Sequence, residues 1–200
     1  MDLSGRTIGW GVCGSHCSYD EVLPQVERLR AAGADVVPVM SHTAVTTDTR
    51  FGTAENLALR LRELTGHEPI VTIVDAEPTG QKRSFDGFVI APCTGNSLAR
   101  FANAFTDSPV LMAAKGTLRN GRPVVVAIST NDALGNNARN LATLLNAKNV
   151  YLVPFGQDNP EEKPNSCVAD FSLIPETLVA ALSGRQLQPV LIERARRAVR

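Results

Sequence analysis

Two hundred residues, 44% hydrophobic and 20% charged, are enough to bury one core and have the composition of an ordinary globular chain. Twenty Lys and Arg balance twenty Asp and Glu, so the formal net charge is zero, which argues against a dedicated nucleic-acid surface. No apolar run approaches the roughly 18 residues needed to span a bilayer. The start, Met1 to Arg6, lacks the apolar stretch of a secretory signal, so the expectation is a cytoplasmic chain with reduced cysteines.

Short apolar runs alternate with helical patterns along the chain, the signature of a parallel sheet covered by helices. Residues 6–12 read as the first strand. Ser18 and Glu21 then form a capping-box pattern ahead of Val22, Val26 and Leu29, and Gly33 stands where that helix stops. Pro24 interrupts the pattern by removing a backbone donor. Residues 35–40 read as the second strand, and the stripe Leu57, Leu61, Leu64 as a helix ended by Gly66. Residues 70–74 and 87–91 are the next predicted strands, followed by a helical stripe of Leu98, Phe101, Ala102 and Phe105. Strand 123–128, a stripe of Leu141, Leu144 and Leu145, and strand 149–153 complete the pattern. Several runs are apolar at successive positions, as strands buried on both faces require. Residues 154–170, rich in Pro, Asn and charge, read as a long loop, a length that in a folded domain usually carries function. The chain is expected to form one domain over residues 1–200, with Arg194, Arg196, Arg197 and Arg200 making a basic, frayed tail at 194–200.

In open parallel sheets, ligands bind beyond the carboxyl ends of the strands, where loops meet helix N-termini. Those ends read Gly14-Ser15-His16-Cys17-Ser18, Ser41-His42-Thr43, Pro92-Cys93-Thr94-Gly95-Asn96-Ser97 and Ser129-Thr130-Asn131-Asp132. They are rich in hydroxyl, amide and glycine residues and carry neither Lys nor Arg, which suits neutral hydrogen bonding to a phosphate and a heterocycle. The same residues would also serve as helix caps, but four such loops at one end of a sheet favour a binding site. Gly9, Gly11 and Gly14 match G-x-G-x-x-G, yet only Thr7 and Ile8 precede the first glycine as strand, and the second strand ends Met40-Ser41-His42 without the acidic residue a dinucleotide ribose needs. Cys13, His16 and Cys17 lack a second ligand pair for zinc, so no metal is expected. Cys93 reads as a packing thiol.

The loops Gly14-Ser15 and Ser41, with the turns Ala91-Pro92-x-Thr94-x-Asn96 and Ser129-Thr130-Asn131, resemble the flavoprotein family, which includes the FMN-dependent cysteine decarboxylases and the prenyl-flavin synthases. Within it, SPVLMAAKGTLRNGRPVV, ISTNDALGNN and VPFGQDNPEEKPNS are similar to the flavin-binding subunits of bacterial dipicolinate-forming enzymes, and the likeness runs from about Gly5 to Glu193. The resemblance implies a three-layer α/β/α sandwich, flavodoxin-like (Rossmann-like), assembled into homo-oligomers, trimers or dodecamers, with FMN where two protomers meet. It implies Ser15 and Ser41 at the FMN phosphate, with Gly14 and Thr43 beside them. Pro92, Thr94, Gly95, Asn96, Ser97, Ser129 and Thr130 would line the rest of the cofactor, and Asn131 would face the substrate. The decarboxylases carry Pro-x-Met-Asn where this chain has Ile128-Ser129-Thr130-Asn131, a departure that weighs against decarboxylation. His42 lies near a family histidine and is a candidate substrate contact, with a buried or capping role as the alternative. Lys163 is a further candidate, on the long loop.

By the same resemblance, a companion dehydrogenase-like polypeptide of the same enzyme carries NAD(P), the substrate is a small heterocyclic dicarboxylate of the dihydrodipicolinate type, and the setting is the mother cell of a sporulating bacterium. Two other readings stay open: a scaffold that supports the companion without chemistry of its own, and a stand-alone FMN-dependent decarboxylase.

Overall fold

Apolar side chains at successive positions make strands that must be covered on both faces, and that requirement shapes the architecture. The computed structural model describes residues 1–81 and 85–193, so the basic tail expected at 194–200 lies outside the described residues. Strands Thr7–Val12 (β1), Asp35–Met40 (β2), Gly87–Cys93 (β3), Val124–Thr130 (β4) and Val150–Leu152 (β5) form a parallel sheet in the order β2-β1-β3-β4-β5. Every residue of β3 is buried. Two further strands, Phe155–Gly156 (β6) and Cys167–Ala169 (β7), form an antiparallel pair. β7 joins β4 at Ser129 and Thr130, beyond the point where β5 leaves it.

Helices Tyr19–Ala31 (α1), His42–Thr46 (α2), Ala54–Thr65 (α3), Ile73–Ala76 (α4), Gly95–Ala102 (α5), Pro109–Arg119 (α6), Ala138–Leu145 (α7) and Ile174–Leu182 (α8) surround the sheet. The crossover from β1 to β2 runs one way along the sheet, and those from β3 to β4 to β5 run the other. Right-handed connections therefore place α1 on one face and α6 with α7 on the opposite face. α8 packs beside α1, and α4 packs against α6. The result is the flavodoxin-like three-layer arrangement.

The helix periodicities hold where they end in glycine. Gly66 stops α3 in the left-handed conformation, its N–H bonded to Arg62 O, and Gly33 follows α1 with φ near +92°. α1 runs through Pro24, near the middle of the helix.

Other expectations are corrected. Residues 70–74 do not form a strand: Ile70 makes a single bridge to Val39, and the Thr72 side chain then accepts from Asp75 N and starts α4. Ser18 does not cap α1 with its side chain. Phe105 falls after α5 and is exposed, and Leu145 is exposed at the end of α7. The segment 154–170 is no plain loop, since it contains β6 and β7.

The glycine pattern of the first strand has a packing explanation. Gly9 and Gly11 lie inside β1, with Gly14 beyond it. A Cβ on Gly9 would stand 2.3 Å from the Phe88 ring and 2.6 Å from Phe85, and one on Gly11 would stand 2.8 Å from Val110. These glycines make room for core aromatic and aliphatic groups, as close packing demands. Gly9→Ala is therefore expected to lower unfolding free energy by about 1–3 kcal/mol, the range for an overpacked core, read as a reduced urea midpoint at unchanged slope.

Candidate functional site

The carboxyl ends of β1, β2, β3 and β4 converge on one cleft of about 430 Å³. That volume lies within the roughly 300–1,000 Å³ of small-molecule sites. Gly14, Ser15, Ser41, His42, Thr43, Thr94, Gly95, Asn96, Ser97, Ser129, Thr130 and Asn131 all line it. Of the strand-end residues, His16, Cys17, Ser18, Cys93 and Pro92 do not, and among the candidate cofactor contacts the exception is Pro92. It is buried in β3, and its carbonyl accepts the Cys13 N–H at 3.3 Å, tying the ends of β1 and β3 together. Lys163 is exposed and does not line the cleft.

Local chemistry explains how each loop turns. Ser41 caps α2, accepting from Ala44 N, which puts His42 and Thr43 in the first turn of that helix. His42 is exposed there, so the buried alternative for this histidine is excluded. Thr94 caps α5 by accepting from Ser97 N, and its hydroxyl donates to Ser97 Oγ at 3.1 Å. A Cβ on Gly14 would come within 2.6 Å of the Thr43 methyl, so any larger residue there would have to displace Thr43.

Ser18, freed from capping, does something else. Its Oγ lies 3.2 Å from Ser15 Oγ and 3.1 Å from Ser129 Oγ, while Ser15 and Ser129 are 2.9 Å apart. Three hydroxyls from the β1 and β4 loops thus bond one another at the edge of the cleft.

A second network centres on Asp132. Its carboxylate accepts from the Thr130 hydroxyl, and Asn137 Nδ2 donates to both of its oxygens at 2.9 and 2.8 Å. Asn140 Nδ2 donates to Asn137 Oδ1 at 2.8 Å, and Asn103 Nδ2 to Asn140 Oδ1 at 3.1 Å. This cluster presses on the start of α5: a Cβ on Gly95 would lie 2.5 Å from Thr130 Oγ1 and 2.7 Å from Asp132 Oδ1. Only glycine fits there.

The segment 154–170 reaches the same rim. Leu134 N donates to Asn165 O at 3.1 Å, and Ser166 Oγ stands 3.5 Å from Asn131 Oδ1. With β7 paired to Ser129 and Thr130, the segment is anchored over the end of β4.

Sequence reasoning placed Asp132 at a strand end without giving it a role, and missed Arg100, Ser108, Leu111 and Asn137 as lining residues. The strand-end loops do lack Lys and Arg, but α5 carries Arg100 into the cleft wall. Arg100 stands four residues after Asn96 and three after Ser97, and helical spacing puts those positions on one face. That spacing is the available signal. Nothing local marks Ser108, Leu111 or Asn137, which arrive from later helices.

Burial raises the Cys13 thiol to about 11, against weaker lowering by Ser97 and Thr94, and raises Cys93 well above the ordinary thiol range. Burial also raises Cys167. Among the described residues no group of three His, Cys, Asp or Glu side chains gathers to hold a metal, and no helix is long and apolar enough to cross a membrane.

A cleft of mostly neutral polar groups at the switch point of a flavodoxin-like sheet defines a class, and the chain falls within it: residues 1–180 match the flavoprotein family, to which the chain belongs. It is 54% identical over 191 residues to the B subunit of dipicolinate synthase from Bacillus subtilis (strain 168), covering 96% of each chain. The crystal structure of the corresponding B subunit from Bacillus halodurans C superposes with a TM-score of 0.91 at 55% identity, covering 98% of this chain and 100% of that one. The FMN-dependent cysteine decarboxylase SpaF matches with a TM-score of 0.63 at 25% identity, covering 90% of this chain and 98% of the other.

The thiolate is the reactive form, so a raised pKa keeps Cys13, Cys93 and Cys167 protonated and slow through the neutral range. At pH 8 a disulfide reagent such as DTNB is expected to titrate one thiol of the folded protein quickly, the exposed Cys17, and all four after denaturation. Cys17→Ser should abolish the fast phase.

Proposed function

We propose that this chain is the FMN-binding component of a dipicolinate synthase and contributes to oxidising a dihydrodipicolinate-type heterocyclic dicarboxylate to dipicolinate during endospore formation. The observation that carries the reading is the single cleft in which residues from four strand ends meet, almost all neutral hydrogen-bonding groups. The 54% identity to a dipicolinate synthase B subunit supports the particular enzyme.

The residues fit FMN. Hydroxyls of Ser15, Ser41 and Thr43 supply donors for a phosphate, and Gly14 leaves backbone accessible beside them. Thr94, Gly95, Asn96, Ser97, Ser129 and Thr130 offer the mixed donors and acceptors that a flavin ring and ribityl chain require. Asp132 places negative charge at the start of α5, which steers a phosphate towards the β1 and β2 ends instead. Bound there, FMN would supply the electron-accepting chemistry, while the chain orients and shields.

Asn131 is the substrate-facing group of this proposal. With its Oδ1 near Ser166, its Nδ2 is free to donate to a carboxylate. His42, exposed at the start of α2, is a second polar contact. The partner would be the A subunit of dipicolinate synthase, carrying NAD(P). Exposed Phe105 and Leu134 suit burial in a homo-oligomer.

The test is the visible spectrum of the purified protein after addition of FMN and desalting. A flavin band should be retained, and Ser15→Ala and Ser41→Ala should each weaken retention by about tenfold, the scale of one lost hydrogen bond to a charged group. Asn131→Ala should keep the flavin and lower turnover of the enzyme reconstituted with its A subunit by about tenfold or more. Absence of retained flavin would leave a supporting role for the partner as the better reading.

A further inference from the structure

The cleft is poor in cations. Among its lining side chains Arg100 is the one Lys or Arg, and Asp132 adds a negative charge. A dicarboxylate entering such a space needs a counter-charge, and neutral amides alone do not offset the loss of water around two carboxylates.

Arg100 is prepared for that task. It stands on the face of α5 that also carries Asn96 and Ser97 into the cleft. Asp107 holds its Nε at 3.5 Å from Oδ2, just before Ser108 caps α6. Neither terminal guanidinium nitrogen has a hydrogen-bond partner among the described residues, and the side chain is 55% exposed. The Nε side of the guanidinium thus faces Asp107 and the other edge is left open. An open guanidinium edge matches a planar carboxylate with two parallel hydrogen bonds.

We propose that Arg100 is the substrate anchor of this cleft, taking one carboxylate of a heterocyclic dicarboxylate on its free edge while Asp107 positions it. The inference rests on the function proposed above and deepens it, because it names the group that selects an anionic substrate. A phosphate would satisfy the same edge, so the test separates the two anions. The substrate is favoured because the phosphate has its own hydroxyl donors on the β1 and β2 loops, whereas Arg100 enters from α5 beside the start of α6.

The experiment uses the full chain loaded with FMN and titrated with pyridine-2,6-dicarboxylate by calorimetry, with the flavin band followed in parallel. Arg100→Gln is expected to weaken dicarboxylate binding by about tenfold or more and leave FMN affinity unchanged, while Arg100→Lys restores part of the loss. The side chain is largely exposed, so both variants should melt close to the wild type. Wild-type affinity for the dicarboxylate in Arg100→Gln would overturn the proposal. So would a variant that loses FMN but still binds riboflavin as before, since the guanidinium would then serve the phosphate. A flavin-loaded wild type that ignores the dicarboxylate would instead overturn the functional reading itself, and the anchor with it.

Discussion

β1 is hydrogen-bonded along both edges, to β2 on one side and β3 on the other, and the rest of the molecule is arranged around that placement. The chain leaves β1 in one direction and later continues in the other, so the connecting loops part above it and a crevice opens. Small residues inside β1 are what allow this. Gly9 and Gly11 admit Phe85, Phe88 and Val110 so closely that a methyl group at either position would collide with them. The core on that face of β1 is dense because Gly9 and Gly11 carry no side chain there. Cys13, bonded through its amide to Pro92, then fixes the relative height of the two central strand ends.

How far the sequence reveals this depends on whether the signal is local. Strands β1 to β5 stand out because burial on both faces demands unbroken apolar runs. The helix ends at Gly33 and Gly66 are legible because left-handed backbone is costly for other residues. Misreadings arise where tertiary context overrides a local pattern. Ile70 to Val74 is apolar and β-branched enough for a strand, yet it meets the sheet at one residue only, beyond the edge strand β2, and Thr72 turns the chain into a helix. Ser18 and Glu21 match a capping box, but the Ser18 hydroxyl finds partners in Ser15 and, from the far side of β3, Ser129. No spacing rule reports a bond between residues 111 apart.

The same distinction applies to the site. Residues at strand ends are legible because topology dictates where loops gather. Arg100 is marked only by its helical spacing from Asn96 and Ser97, and Asn137 by nothing local, because it reaches the cleft at the start of α7, whose placement only the folded chain defines. The Asp132–Asn137–Asn140–Asn103 chain joins the loop after β4 to α7 and α5 in one hydrogen-bonded line. It makes the start of α5 a rigid wall of the site. The 154–170 segment illustrates the converse: its composition reads as loop, but two short strands and the Asn165 and Ser166 contacts hold it against β4.

The three mutually bonded serines have an implication of their own. A closed ring of hydroxyls can pass its hydrogens round in either sense, and each arrangement satisfies all three oxygens equally. Ser15, Ser18 and Ser129 can therefore bond one another in either sense, with the Cys17 thiol beside two of them. An arriving donor finds a free lone pair on the ring, and an arriving acceptor draws one hydrogen out of it at the cost of one ring bond, in either case by hydroxyl rotation alone. That corner of the cleft behaves like a small piece of ordered water built from side chains, matching a visitor by shape and answering its polarity only on contact.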